Sequence, residues 1–211
     1  MRNLRYAIFT LSLVASAGCA TPPVELFNDR DLSGWEFVTA PAVDIRTVCQ
    51  VLSEGKISVA GSPIGYIKTI VAYQNYRLHA EYRWTNKPGN SGILVHISSG
   101  PKDKAWPLCL QIQTKYKSVG DLLPMAGATF AEPLEPNQKT PQRAHTGTGS
   151  EKPVGEWNSC EIICKKDTIE VFINGVVQNK VSAISPSVGC IGFQFEGTPF
   201  ELRHITMQPL D

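Results

Sequence analysis

A chain of 211 residues, 42% of them hydrophobic and 18% charged, can bury one core of ordinary domain size and is short for two. Its 20 basic and 19 acidic side chains leave a formal charge of +1, and no run of Lys and Arg interleaves with aromatics, so nothing in the composition points to nucleic acid as a partner.

In chain order, the opening MRNLRYAIFTLSLVASAGCA sets Arg2 and Arg5 before an apolar run from Tyr6 to Ala15 and then small residues leading to Cys19. That run is too short to span a bilayer and has the layout of a secretory signal. Ser16-Ala17-Gly18-Cys19 resembles a bacterial lipobox, with Ser16 where Leu is usual, so lipidation at Cys19 is expected; a plain signal peptide is the alternative. The expected organisation is a signal with lipobox over residues 1–19, a short linker over 20–24 and one domain over 25–211. The protein would then be extracytoplasmic, a periplasmic or cell-surface lipoprotein whose contact with the outer membrane is the N-terminal lipid. The five later cysteines, Cys49, Cys109, Cys160, Cys164 and Cys190, include no CxxC pair. A thiolate metal cluster is therefore not expected, and small buried hydrophobes are the simpler reading.

From Val24 onward short β-rich segments alternate with Gly, Pro and Asn, and no stretch carries a helical period, which predicts an all-β fold. Tyr76 to Trp84 alternates, with Leu78, Ala80, Tyr82 and Trp84 on one face and Arg77, His79, Glu81 and Arg83 on the other. In the next strand Ile93, Val95 and Ile97 share an apolar face while His96 and Ser98 look the opposite way. Trp106 to Lys115, WPLCLQIQTK, presents Gln111, Gln113 and Lys115 together. Residues from about 117 to 155, rich in Pro, Gly, Thr and Gln, form a stretch too long for a routine connection, hence functional or partly disordered. Three antiparallel strands follow: one from Trp157 to Cys164, then a hairpin whose two-residue turn is Asn174-Gly175. The last strands, Val188 to Phe195 and Phe200 to Gln208, would close a two-sheet sandwich.

Where one sheet of such a sandwich curves, its polar face becomes a groove. Sugars need bidentate polar groups for hydroxyls and an aromatic platform for C–H faces. The candidates are Glu81, Arg83, His96, Gln111, Gln113 and Lys115 on strands, with Trp106, Asp121 and His145 on nearby loops. Several have a plainer alternative: Glu81 and Arg83 as cross-strand ion pairs, His96 as a surface histidine, Asp121 as a turn former; Trp157, at the start of the next strand, reads as a core anchor more than as a ligand contact. No HExxH, GxSxG, P-loop or close carboxylate pair occurs.

Leu26-Phe27-Asn28-Asp29-Arg30-Asp31-Leu32-Ser33-Gly34-Trp35 resembles the LFNGKDLSGW opening of the 3-keto-disaccharide hydrolase family. Further blocks resemble the family's in order: Glu81-Tyr82-Arg83-Trp84, Asn90-Ser91-Gly92, Trp106-Pro107, Gly120-Asp121, Lys152 to Asn158, Ile173-Asn174-Gly175 and Phe200 to Ile205. The resemblance implies an all-β, two-sheet antiparallel jelly-roll sandwich of the concanavalin A-like lectin/glucanase type. It also implies a glycan-degrading enzyme of Bacteroidetes-type lipoproteins that cleaves glycosides already oxidised at C3, by elimination and hydration or by hydrolysis. On that reading His96 and Asp121 are the catalytic candidates. Glu81, Arg83, Trp106, Gln111, Gln113, Lys115 and His145 would bind the 3-keto-glycoside or oligosaccharide. A divalent metal is one candidate cofactor for holding an enolate, with no ligand set identified. The family pattern often carries Glu where this chain has Gln111, and a glutamine can bind a hydroxyl but cannot take a proton. The alternatives are a non-catalytic carbohydrate-binding module of the same fold and an interaction role in an envelope complex.

Overall fold

The computed structural model describes residues 22–103 and 105–211, so the signal over residues 1–19 and the lipidation site Cys19 lie outside the described residues. Among the described residues fourteen strands form two antiparallel sheets. The larger sheet contains β1 (Val24–Glu25), β3 (Cys49–Leu52), β4 (Lys56–Val59), β6 (Tyr76–Trp84), β10 (Asn158–Lys165), β11 (Thr168–Ile173), β12 (Val176–Val181) and β14 (Phe200–Pro209). Its order is β12-β11-β10-β6-β14-β4-β3, with β1 pairing β14. The smaller sheet contains β2 (Trp35–Val38), β5 (Gly65–Thr69), β7 (Gly92–Asp103), β8 (Trp106–Gln113), β9 (Leu122–Met125) and β13 (Cys190–Phe195), in the order β2-β5-β13-β7-β8-β9. The architecture is the expected all-β jelly-roll sandwich. No helix among the described residues is long and apolar enough to cross a membrane.

Between the sheets lies one core. β6 contributes Tyr76, Leu78, Ala80, Tyr82 and Trp84 and keeps Arg77, His79, Glu81 and Arg83 outward, as its alternation predicts. β10 sends Cys160, Ile162 and Cys164 to the same layer, and β13 sends Ile191, Phe193 and Phe195 from the facing sheet. The five described cysteines are free thiols, four of them buried. The Asn174-Gly175 turn takes φ of 50° and 79°, the left-handed pair a two-residue hairpin needs.

The two C-terminal strands complete the sandwich from within its sheets: β13 sits between β5 and β7, and β14 between β6 and β4. Both carry bulky apolar side chains on the core face, which suits a central position. The long stretch around 117–155 supplies edge strand β9 and is tied down by bridges from Leu122 to Arg143 and from Thr129 to Ser185. One expectation changes, in β7. Opposite β13, Leu94 pairs Gly192 and Ile97 pairs Cys190, so three steps on β7 match two on β13. The extra residue is a bulge, and His96 adopts φ of 54° within it. Side-chain parity inverts there: Ile93 and Val95 enter the core, His96 follows them, and Ile97 emerges on the outer face.

Candidate functional site

The outer face of the smaller sheet carries two side-by-side rows. Across one run Tyr66, Gln194, Gly92 and Gln113; across the next run Lys68, Gly192, Leu94, Gln111 and Leu123. Gly92 leaves the space that Gln111 fills, since a Cβ there would come within 2.6 Å of the Gln111 side chain. The result is a groove of about 350 Å³ lined by Gln111, Gln113, Lys115, Asn90, Gln194 and Glu196. Trp106, Leu123 and Met125 supply apolar walls, and Gln138, Thr140 and Gln142 of the long connection supply a polar one. This size falls within the range for small-molecule sites, about 300–1,000 Å³.

A directional chain of hydrogen bonds runs along the floor. Glu196 Oε2 accepts from Asn90 Nδ2 and Gln194 Nε2, both at 2.7 Å. A carboxylate can only accept, so Gln194 must turn its amide nitrogen toward it and its oxygen toward Gln111. Gln111 Nε2 accordingly donates to Gln194 Oε1 at 2.8 Å, and also to Gln113 Oε1 at 3.2 Å. Two acceptors are left over: Gln111 Oε1 and Asn90 Oδ1 are buried without a partner. Buried orphans of this kind are rare in folded proteins, and here both belong to residues lining an open groove. Burial pushes the Glu196 carboxyl above the usual range, opposed by the charge of Lys115 and the hydrogen bond from Asn90.

Four of the expected residues therefore meet: Trp106, Gln111, Gln113 and Lys115. The others lie elsewhere. Glu81 and Arg83 belong to β6 in the opposite sheet, so their polar face points out of the other side of the sandwich. There Arg83 pairs with Glu201 at 2.7 Å and Arg203 with Glu81 at 2.6 Å. The two guanidinium groups also stack on Trp157, at 4.7 and 4.1 Å from the ring centroid. Trp157 is thus a surface clamp rather than a core anchor. Burial alone would push the Glu81 carboxyl up, but hydrogen bonds from Arg203 and His204 outweigh it and hold it below the usual range.

The bulge in β7 takes His96 out of the groove. It is 1% exposed, its ring meets Tyr76 edge-on at 5.6 Å, and neither ring nitrogen has a hydrogen bond of ordinary geometry. Burial pushes its pKa down to about 4, with the Pro186 backbone pulling weakly the other way. A buried neutral imidazole with no path to the groove cannot work on a ligand held there. Asp121 and His145 pair with each other outside the groove lining: Asp121 Oδ1 accepts from His145 Nδ1 at 2.6 Å and from the His145 backbone N–H at 2.8 Å. His145 lines a separate hollow with Tyr116, Lys117 and Glu151.

Sequence reading missed Glu196, Gln194 and Asn90. The signal was present: Gly192, Gln194 and Glu196 alternate with Ile191, Phe193 and Phe195, but which sheet that strand joins is settled only by the fold. A larger open depression of about 620 Å³ near Leu32, Ile45 and Cys49 has no buried, unpartnered polar side-chain atom in its lining. Among the described residues no three His, Cys, Asp or Glu side chains gather as metal ligands would. In the groove the one carboxylate, Glu196, already accepts two hydrogen bonds, and the Lys115 ammonium interacts with it, so a divalent cation there would compete with a positive charge already in place.

Several solved structures share the fold. A protein of Parabacteroides distasonis provisionally assigned as a glycosyl hydrolase superposes with a TM-score of 0.68 at 23% identity, covering 90% of this chain and 94% of that one. The carbohydrate-binding module CBM66 from Bacillus subtilis gives 0.60 at 9%, covering 84% and 97%. The β-glucanase of Bacillus licheniformis gives 0.56 at 11%, covering 92% and 100%. At these identities the likeness is one of fold. A search of curated proteins returns no match. The family profile of the 3-keto-alpha-glucoside-1,2-lyase-like domain matches residues 22–208, nearly all of the described chain, and the protein belongs to that family.

Proposed function

We propose that the groove binds a glycoside oxidised at C3 and that Glu196 moves the proton in its cleavage by elimination. The observation that carries this reading is the pair of buried, unpartnered acceptors, Gln111 Oε1 and Asn90 Oδ1, beside one carboxyl of raised pKa. Two acceptors fixed in direction by Glu196 match the hydroxyls of a sugar ring, and Trp106 offers a face for its C–H side.

Chemistry follows from how many carboxyls are present. Ordinary glycosidic hydrolysis uses two carboxyl groups across the scissile bond, and the groove lining holds Glu196 alone. Elimination needs only one. A C3 ketone acidifies the C2 proton; Glu196 removes it, and the electron pair passes to the C3 oxygen. That oxyanion needs donors, and Lys115 Nζ and Gln113 Nε2 are groove groups able to give them. Collapse of the enolate breaks the C1–O bond, and the proton held by Glu196 passes to the leaving oxygen, so the carboxylate is restored. Water then adds to the unsaturated ketone. The raised pKa favours this double duty, because a carboxyl more basic than usual takes a carbon-bound proton more readily and still gives it back.

The test is turnover of 3-keto-trehalose. Wild type is expected to release glucose, and Glu196→Gln to lower kcat by about 10²–10⁴-fold while binding within a few-fold. Undiminished turnover in Glu196→Gln would remove Glu196 from the mechanism. A second reading, a binding module, draws on the preponderance of neutral amides; binding by wild type with no turnover would establish it. We further infer export, with lipid on Cys19, from the apolar run and Ser16-Ala17-Gly18-Cys19. Radiolabelled palmitate incorporated by wild type and lost in Cys19→Ala is the expected result.

A further inference from the structure

The two ends of the sandwich differ in what reaches them. β6 runs from Tyr76 at one end to Trp84 at the other, and Tyr76 is level with Pro209 of β14 and Cys164 of β10. β1 lies antiparallel to β14 with Val24 opposite Met207, so it runs the way β6 does and the chain arrives from the Tyr76 end. The connection from β5 to β6 crosses that same end, where Tyr73 bridges Gly189. It carries Ile70 and Val71, 62% and 58% exposed, the two most exposed large apolar side chains among the described residues. Val188, next to the bridge, is 47% exposed. Asn75 accepts from the Lys166 backbone N–H at 2.7 Å, and its carbonyl from that of Leu210 at 2.8 Å. Lys165, Lys166, Asp167 and Asp211 therefore gather at this end with no excess of either sign. Ile64, 51% exposed, lies at the opposite end, just before Gly65, whose partner is Phe195. Apolar exposure alone does not choose between the ends.

Resting on the lipidation of Cys19 proposed above, we propose that the end carrying Ile70, Val71 and Val188 sits on a phospholipid surface, these side chains among the headgroups, and that the Glu196 end of the groove is thereby turned away from the membrane. The length of the leash decides between the ends. Val24 is five residues after Cys19, and five residues span at most about 18 Å. Pro22 and Pro23, both exposed, stiffen it. From Leu78, level with Val24, to Trp84 at the far end of β6 is about 20 Å of strand. To bring Ile64 onto lipid the leash would have to double back and outreach its own length, whereas the Ile70 end lies where the chain already arrives. An acyl anchor holds that end close to the bilayer, so three side chains otherwise left in water add apolar area to a contact already made. The balanced lysines and aspartates make the contact apolar rather than electrostatic. Glu196 directly follows β13 and Asn90 lies beyond the end of β6, so both face the aqueous side, from which a glycan comes.

The test places the photoreactive residue p-benzoylphenylalanine singly at Val71, Val188 or Ile64 of the full chain. Each lipidated protein is reconstituted into vesicles of phosphatidylethanolamine and phosphatidylglycerol, illuminated, and read by mass spectrometry for lipid on Cys19 and for phospholipid adducts at the label. Adducts are expected at Val71 and Val188, with at least about tenfold less at Ile64. Ile70→Ser combined with Val71→Ser, both on the surface, should leave circular dichroism unchanged and cut the adduct yield at Val188 at least about fivefold. Equal yields at Val71 and Ile64, or no adduct at any position in protein that carries lipid on Cys19, overturns the inference and leaves the lipidation standing. A Val188 yield untouched by the double variant overturns insertion by Ile70 and Val71. Protein recovered without lipid on Cys19 overturns the lipidation and this inference with it.

Discussion

Gln111 shows how much one neighbour can decide. Its amide lies over Gly92 and reaches Gln194 only because nothing stands at that Cβ position. In Gly92→Ala the new methyl meets the far part of a flexible side chain, so the sheet should survive and Gln111 should swing away. Ligand affinity is expected to fall by roughly tenfold, about 1–2 kcal/mol for a lost buried hydrogen-bond arrangement, with little change in circular dichroism. Unchanged affinity would mean that Gln111 does not touch the ligand. His96 makes the opposite point: it looked functional and proves to be a liability in acid. Its folded pKa of about 4 lies below the ordinary value of 6.5, so between those values the unfolded chain binds a proton that the folded one refuses. Stability is therefore full above about pH 6.5 and falls as pH drops toward 4, by roughly 3 kcal/mol in total. His96→Leu should flatten that part of the pH profile in urea titrations, while an equal acid loss in the variant would assign it to other groups.

At the scale of strands, periodicity was readable wherever pairing stayed regular. β6 and the β11–β12 hairpin follow their sequence patterns, and Asn174 has a role beyond the turn. Its Nδ2 donates to the Ser150 carbonyl at 2.7 Å and to Asn158 Oδ1 at 2.9 Å, and its Oδ1 accepts from the Ser159 backbone at 2.9 Å. Asn174→Ala should lose these bonds and strain a left-handed position, costing about 2–3 kcal/mol. Hydrogen exchange should then quicken around Ser150 and Lys152, whose loop the side chain holds; exchange raised only at the turn would limit Asn174 to the hairpin. What could not be read was the bulge in β7. One inserted residue inverts every later side chain on the strand, and no motif in Leu94-Val95-His96-Ile97 announces it. The groove was half legible for a related reason: Gln111 and Gln113 sit on one strand, with Lys115 just past its end, and they declare themselves by alternation. Gln194 comes from a strand some eighty residues away and Glu196 directly follows that strand, and only the sheet order brings them alongside.

The whole molecule separates two polar faces that the sequence presented as one. Glu81, Arg83, Arg203 and Trp157 lie outside the larger sheet, and Gln111, Gln113, Gln194 and Glu196 outside the smaller, with the core between them. A ligand that binds only the folded protein raises its stability by mass action, about 2.7 kcal/mol at a hundred times Kd. For a chain of this length each kcal/mol moves Tm by about 2–4 °C. A saturating 3-keto-glycoside with Glu196→Gln protein should therefore raise Tm by about 5–10 °C. Adding Gln194→Ala should abolish most of that rise, since it cuts the chain that orients Gln111. Adding Arg83→Ala instead should lower the starting Tm slightly, as loss of a partly exposed ion pair does, and leave the rise intact because the core separates it from the ligand. A rise that vanished in Arg83→Ala and persisted in Gln194→Ala would move the binding site to the other sheet.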